Sequence, residues 1–218
     1  SASTIFIDIS GFTVMTEQLM AHGKEGAEVL AKIINHIFEP VIETVHAGGG
    51  FISAFAGDAF TAIFPDASPQ NVLACAEAIR QIFRDSGQQT CRFGKFQLFV
   101  KIGLAYGNVD WGIIGTEARQ VYFFRGEAVD GCAQSEHHCQ KMEIIINDKL
   151  ATLLDMNQLE ISRIDEQYAK IEAVLSPFAR QSVDIPEISA DILRKFVPQS
   201  ILETDMPGEF RDVVAVFI

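Results

Sequence analysis

The chain has 218 residues, of which 48% are hydrophobic and 21% charged, and carries a formal net charge of -12 at pH 7. That hydrophobic content excludes a disordered polyelectrolyte and suffices for one good core or two small ones. The acidic balance, with no basic run, argues against a nucleic-acid partner, and apolar stretches such as Ala59 to Phe64 are too short to span a bilayer.

In chain order, Thr4 to Ile9 alternates and is rich in β-branched and aromatic residues, which predicts a strand. It runs directly into Ser10-Gly11-Phe12-Thr13, a tight turn and helix start. From Glu25 to Val45, apolar residues recur at spacings of three and four, one face of a long helix in which Pro40 predicts a kink or a junction. Gly48-Gly49-Gly50 ends that helix. Phe51 to Phe55 and Ala59 to Phe64 then form a hairpin about Ala56-Gly57-Asp58. Val72, Ala76, Ile79 and Phe83 mark the next amphipathic helix.

Gln97 to Ala105 and Val109 to Gly115 are expected to pair as strands about the turn at Tyr106-Gly107-Asn108. A short strand at Val121 to Phe124, a helix over Gly126 to His138 and a strand at Glu143 to Ile146 follow. This order predicts an α+β fold, a ferredoxin-like, antiparallel-rich sheet with helices packed on one face. The core module is expected to end near residue 155. Beyond it the chain is more polar, and Ser176 to Ser189, with Pro177 and Pro186, has the composition of a linker.

Cys75, Cys91, Cys132 and Cys139 match neither a zinc ribbon nor a CxxC redox pair, and no signal-peptide pattern is seen, so free thiols and a cytoplasmic location are expected. Cys132 and Cys139 flank Glu136-His137-His138, which could be drawn as a soft-metal site. Consecutive helical residues point in different directions, which favours a solvated helix end instead.

Two acidic residues carry the chemistry. Asp8 stands at a strand end just before a glycine turn and a helix start, whose unpaired N–H groups suit a polyphosphate while the acid holds its metal. Asp58, at a hairpin tip, could complete a clamp for two hard cations. Taken singly, each has a plain alternative: a helix cap for Asp8, a turn residue for Asp58.

Four ordered blocks, Phe6-Ile7-Asp8-Ile9-Ser10-Gly11-Phe12-Thr13, Phe55-Ala56-Gly57-Asp58-Ala59, Val100 to Gly107 and Gly126-Glu127-Ala128-Val129-Asp130, resemble the class III adenylyl and guanylyl cyclase catalytic domain. The likeness is closest to the first catalytic domain of the bicarbonate-responsive soluble adenylyl cyclases. It implies that Asp8 and Asp58 hold two Mg2+ or Mn2+ ions, with the carbonyl of Ile9 as a further ligand. It also implies that the amides of Gly11, Phe12 and Thr13 cradle the triphosphate of ATP, and that Lys101 reaches the terminal phosphate. An exposed strand lysine is the plain alternative for Lys101.

The departures from the family pattern are informative. The purine-recognising lysine falls on Ala54, and the transition-state asparagine and arginine fall on Asp130 and Gln134. The bicarbonate-binding lysine and arginine match Ala54 and Ala133, and Arg125 is a candidate replacement charge. The resemblance therefore implies the metal-contributing half of a heterodimeric core that converts ATP to cyclic AMP and pyrophosphate, inactive without a second cyclase domain. The alternative is a catalytically inactive cyclase-like regulatory or dimerisation module. Residues 1–155 are expected to form the cyclase homology domain and residues 156–209 an extension and linker. Ile188 to Ile201 is expected to be a helical lead-in, and residues 210–218, in the style of Thr4 to Ile7, the first strand of a second cyclase domain.

Overall fold

The structure is a computed structural model that describes residues 1–181 and 187–197. The expected opening strand at 210–218 lies outside the described residues, as does the C-terminal part of the Ile188 to Ile201 lead-in. The chain divides into two compact units. The first holds Ser1–Trp111 and the described residues 124–181; the second holds Gly112–Phe123 and the described residues 187–197.

In the first unit a seven-stranded sheet is built around β1 (Ala2–Ser10). β3 (Ala59–Phe64) and β6 (Phe99–Gly107) flank β1, both antiparallel to it. β2 (Phe51–Ala56) closes one edge beside β3, and β9 (Ile144–Asn147) lies parallel to β6. β11 (Tyr168–Val174) and β10 (Leu159–Arg163) complete the other edge.

Alternation along the strands assigns the two faces. Ile5, Ile7 and Ile9 lie beside Leu104, Ile102 and Val100 across the β1–β6 ladder, and all six are buried. That face belongs to the main core, which also takes Ile33, Ile37 and Val41 of α2 (Gly23–Ala47) and Val72, Ile79 and Phe83 of α3 (Pro69–Ser86). The other face of β1 carries Thr4, Phe6 and Asp8, opposite Ala105, Gly103 and Lys101. There α4 (Glu127–His137) packs: Thr4 Oγ1 donates to the Ala128 carbonyl at 2.7 Å. Gly103 admits the helix closely, since a Cβ there would stand 2.2 Å from the Cys132 carbonyl oxygen.

The α+β, mostly antiparallel fold class is thus as expected, with one correction. The helices do not all share one face, because the small and polar residues of β1 and β6 on the second face leave room for α4. α2 is likewise one helix through Pro40, whose carbonyl accepts from Thr44 Oγ1 at 2.7 Å.

Two further differences follow from strand edges. β7 (Asp110–Gly115) does not pair with β6, whose two edges are occupied by β1 and β9; it pairs with β8 (Gln120–Arg125) in a separate two-stranded sheet. The sheet also does not stop at residue 155. β11 pairs with β9 and in turn carries β10, burying Leu159, Ala169 and Ile171 in the same core. A short hairpin of β4 (Gln88–Cys91) and β5 (Gly94–Gln97) fills a stretch for which the sequence predicted no element. In the second unit, α6 (Ala190–Phe196) sets the Phe196 ring 6.3 Å from that of Tyr122.

Candidate active site

The site forms where β1 ends. Asp8 is two residues before the end of β1 on the α4 face, half-buried, and lies opposite Lys101 in the β1–β6 ladder. The register between β1 and β3 ends at Ile7 opposite Phe60. Carried on by one and two steps, the same antiparallel count sets Ala59 level with Asp8 and Asp58 level with Ile9. Gly57 and Asp58 form the two-residue turn between β2 and β3, with positive φ (67°) at Gly57 but not at Asp58, the II′ pattern of tight hairpins. The sheet register therefore brings both predicted aspartates to one end of neighbouring strands.

Gly11 turns the chain out of β1 into α1 (Phe12–Met20) with φ 94°, where a Cβ would meet the Gln97 carbonyl oxygen at 2.5 Å. Only glycine fits there without strain. Residues 11, 13 and 14 are exposed, and the Gly11 carbonyl accepts its helical bond from the amide of Met15. The preceding amides, those of Phe12 and Thr13 included, have no acceptor within the helix, which is the ordinary condition of a helix N-terminus and an anion-binding one. Phe12 and Gly57 line one apolar hollow of ≈ 280 Å³ with Ile34, Phe38, Ile42 and Phe55. The α1 N-terminus and the Asp58 turn are thus neighbours.

Lys101 sits at 2.9 Å from Asp8 Oδ2 and also donates to Glu136 Oε1 of α4. Burial alone would lower its pKa, but the hydrogen bonds and charges of Glu136 and Asp8 outweigh that and raise it above the usual lysine value. The ammonium is therefore charged at any physiological pH. Its contribution to stability is complete below the unfolded value of about 10.4 and is lost only as pH rises through the raised folded value.

The donor set fits a hard divalent cation. Two carboxylates and the Ile9 carbonyl would offer oxygen donors, and Mg2+ characteristically takes one or two protein carboxylates and completes its shell with water and phosphate. Among the described residues no group of three or more His, Cys, Asp or Glu side chains gathers as a metal cluster. The sulfur alternative accordingly does not form. Cys132 Sγ donates to the Val129 carbonyl and Cys139 Sγ to that of Ile102, while His137 and His138 are exposed, the latter ring 4.1 Å from Tyr168. Burial pushes the thiols of Cys132 and Cys139 up to about 11 and about 12, so they remain protonated at neutral pH.

The positions at which the resemblance breaks down are not among the residues that line the hollow beside Gly57. Asp130 and Gln134 are one turn apart and exposed on α4, whose buried stripe is Ala128, Cys132, Ser135 and Glu136. Ala54 is exposed on β2, Ala133 is half-buried on α4, and Arg125 ends β8. Glu136 is the site residue that the motif pattern did not single out. Its signal was available in the spacing, since it lies one turn after Cys132 on the inward stripe.

Residues 1–178 match the model of a family described as the adenylate and guanylate cyclase catalytic domain. The chain is 32% identical over 181 residues to adenylate cyclase type 10 of Mus musculus and 30% identical to the Homo sapiens protein of that name. Each alignment covers 79% of this chain and 11% of the relative, so the chain spans about a tenth of the length of these curated relatives. Among solved structures, the guanylate cyclase domain of RhGC from Catenaria anguillulae in complex with GTP aligns with a TM-score of 0.65 at 17% identity, covering 79% of this chain and 96% of that one. The adenylyl cyclase CyaB from P. aeruginosa aligns with a TM-score of 0.58 at 20% identity, covering 79% and 93%. At these identities the structural likeness establishes the fold.

Proposed function

The chain belongs to the adenylate and guanylate cyclase catalytic domain family, and from that membership we propose that it is the metal-contributing half of a heterodimeric core that converts ATP to cyclic AMP and pyrophosphate. The observation that carries this reading is the convergence at one strand end of Asp8, Asp58 and the exposed α1 N-terminus. The residues at the other catalytic positions, Ala54, Asp130 and Gln134, lack the required chemistry. ATP rather than GTP is supported by the identity to proteins named adenylate cyclase.

In this reading the amides of Gly11, Phe12 and Thr13 donate to the phosphate oxygens, and the helix N-terminus favours their negative charge. Lys101 stands beside Asp8, where its ammonium can meet the terminal phosphate. Asp8, Asp58 and the Ile9 carbonyl hold the divalent cations. When bound, these supply activation of the ribose 3′-hydroxyl and neutralise charge on the phosphates as pyrophosphate leaves. The exposed carboxylate of Asp130 repels phosphate and the Gln134 amide carries no charge, so the group that stabilises the transition state must come from a partner domain.

The edge of the sheet offers a surface for such a partner. Phe51, Ile63, Pro65, Val109, Trp111 and Phe124 line an apolar hollow of ≈ 440 Å³, and Trp111 is 67% exposed. The hairpin tip in the second unit separately exposes Ile113, Ile114, Val121 and Tyr122. Exposed apolar area of this kind marks interaction surfaces. The free thiols suit a reducing compartment, and no helix among the described residues is long and apolar enough to cross a membrane. We therefore read the protein as cytoplasmic.

One observation favours a second reading, a cyclase-like dimerisation module without chemistry: the Lys101 ammonium already occupies Asp8. Complementation separates the two. The 218-residue chain alone is expected to form no cyclic AMP above background with Mn2+ and ATP. Mixing it with a cyclase domain that carries the purine lysine and the Asn–Arg pair, but lacks its own metal aspartates, is expected to give metal-dependent activity. Complex formation without activity would support the module instead.

A further inference from the structure

Lys101 has two carboxylate partners, and only Asp8 belongs to the family's site. The other, Glu136, has its side chain 7% exposed on the inward stripe of α4. A carboxylate this buried is costly unless paired, and removing its partner is costlier still. Packing does not require it, because the rest of the stripe is Ala128, Cys132 and Ser135. Its hydrogen-bond partner is the Lys101 ammonium, which bridges it to Asp8 from the facing strand.

Two anions on one ammonium make sense if one of them has a second task. A divalent cation that takes Asp8 through Oδ2, the oxygen Lys101 contacts, displaces the ammonium from that carboxylate. Without Glu136, the displaced ammonium would be left beside the incoming cation with no counter-charge, which opposes cation binding at short range. With Glu136, the lysine keeps a charge-assisted hydrogen bond on the α4 side. We propose that Glu136 is a positioning residue that keeps Lys101 docked against α4 when Asp8 exchanges the ammonium for a divalent cation. The exchange rests on the metal reading of Asp8; the second hold on Lys101 does not.

The experiment measures acetylation of Lys101 in the 218-residue chain by mass spectrometry, which reads whether the ammonium is held. Without added metal, the native chain, Asp8→Asn and Glu136→Gln are all expected to label slowly, because each keeps at least one carboxylate on the lysine. Asp8→Asn/Glu136→Gln is expected to label about tenfold faster, the loss of a charge-assisted hydrogen bond. With saturating Mg2+, the native chain stays slow while Glu136→Gln rises to the rate of the double variant.

Fast labelling of Asp8→Asn alone, or slow labelling of the double variant, overturns the proposal without reference to any metal. A rise in Glu136→Gln before Mg2+ is added means that the substitution merely loosens α4, and overturns it as well. If calorimetry finds no Mg2+ binding to Asp58 and Asp8, the metal reading fails, while the metal-free comparison still decides the role of Glu136.

Discussion

Replacing Asp8 with alanine is expected to lower cyclic AMP formation about a thousandfold in the complemented assay, at saturating Mn2+ and ATP, because metal stabilisation of transition-state charge is worth several kcal/mol. The loss should fall on kcat rather than on folding. The Asp8–Lys101 pair is about a quarter exposed on both sides, and pairs near the surface contribute at most about 1 kcal/mol. Lys101 also retains Glu136, so the fold is not left with an orphaned charge. Thermal unfolding of the variant should therefore stay close to that of the native chain. Activity within a few fold of native would remove Asp8 from the chemistry.

Gly11→Ala is expected to act by a different route and to be nearly as damaging. The glycine holds φ 94°, and the added methyl would lie 2.5 Å from the Gln97 carbonyl oxygen, a backbone atom that cannot swing aside. Left-handed strain costs about 1–3 kcal/mol. Relief of the clash must move the β1–α1 turn away from the β5–β6 connection, so a total destabilisation of about 2–4 kcal/mol is expected, at the upper end of single substitutions. The same movement redirects the amides of Phe12 and Thr13, so nucleotide affinity should fall with stability. Urea denaturation and nucleotide titration of the same variant check both effects. An unaltered midpoint would show that the turn is not constrained as the geometry requires.

Much of the site was legible because its signals are local. The strand at Thr4 to Ile9, the Gly11 turn and the Asp58 hairpin each follow from a short pattern of alternation and turn residues, and the structure places them as β1, α1 and the β2–β3 turn. What escaped depends on which partners are already occupied. β7 looks as able to pair with β6 as with β8; only the presence of β1 and β9 on both edges of β6 decides it. β10 and β11 read as polar because Glu160, Ser162 and Glu172 face solvent, while Leu159, Ala169 and Ile171 do the packing. The position of α4 on the second face was hidden for a related reason. Thr4, Gly103 and Ala105 carry too little hydrophobic bulk to announce a helix, yet their smallness is what admits one.

The acidic cluster at Glu136 shows the same limit in the site itself. Sequence adjacency grouped Glu136 with His137, His138 and the two cysteines, a set that could be drawn as a soft-metal site but reads more plainly as a solvated helix end. On α4 these residues point to different sides: the glutamate turns inward to Lys101, and the histidines remain outside. Spacing from Cys132 identifies the inward stripe, but Lys101 comes from a strand 35 positions away in sequence.

The central claim, that Asp8 and Asp58 carry the metals for a nucleotide, is tested most directly by titrating the 218-residue chain with a non-hydrolysable ATP analogue in the presence and absence of Mn2+. Binding that requires Mn2+ and is lost in both Asp8→Ala and Asp58→Ala is the predicted result. Equal affinity in the native chain and either variant, or binding indifferent to Mn2+, would contradict it.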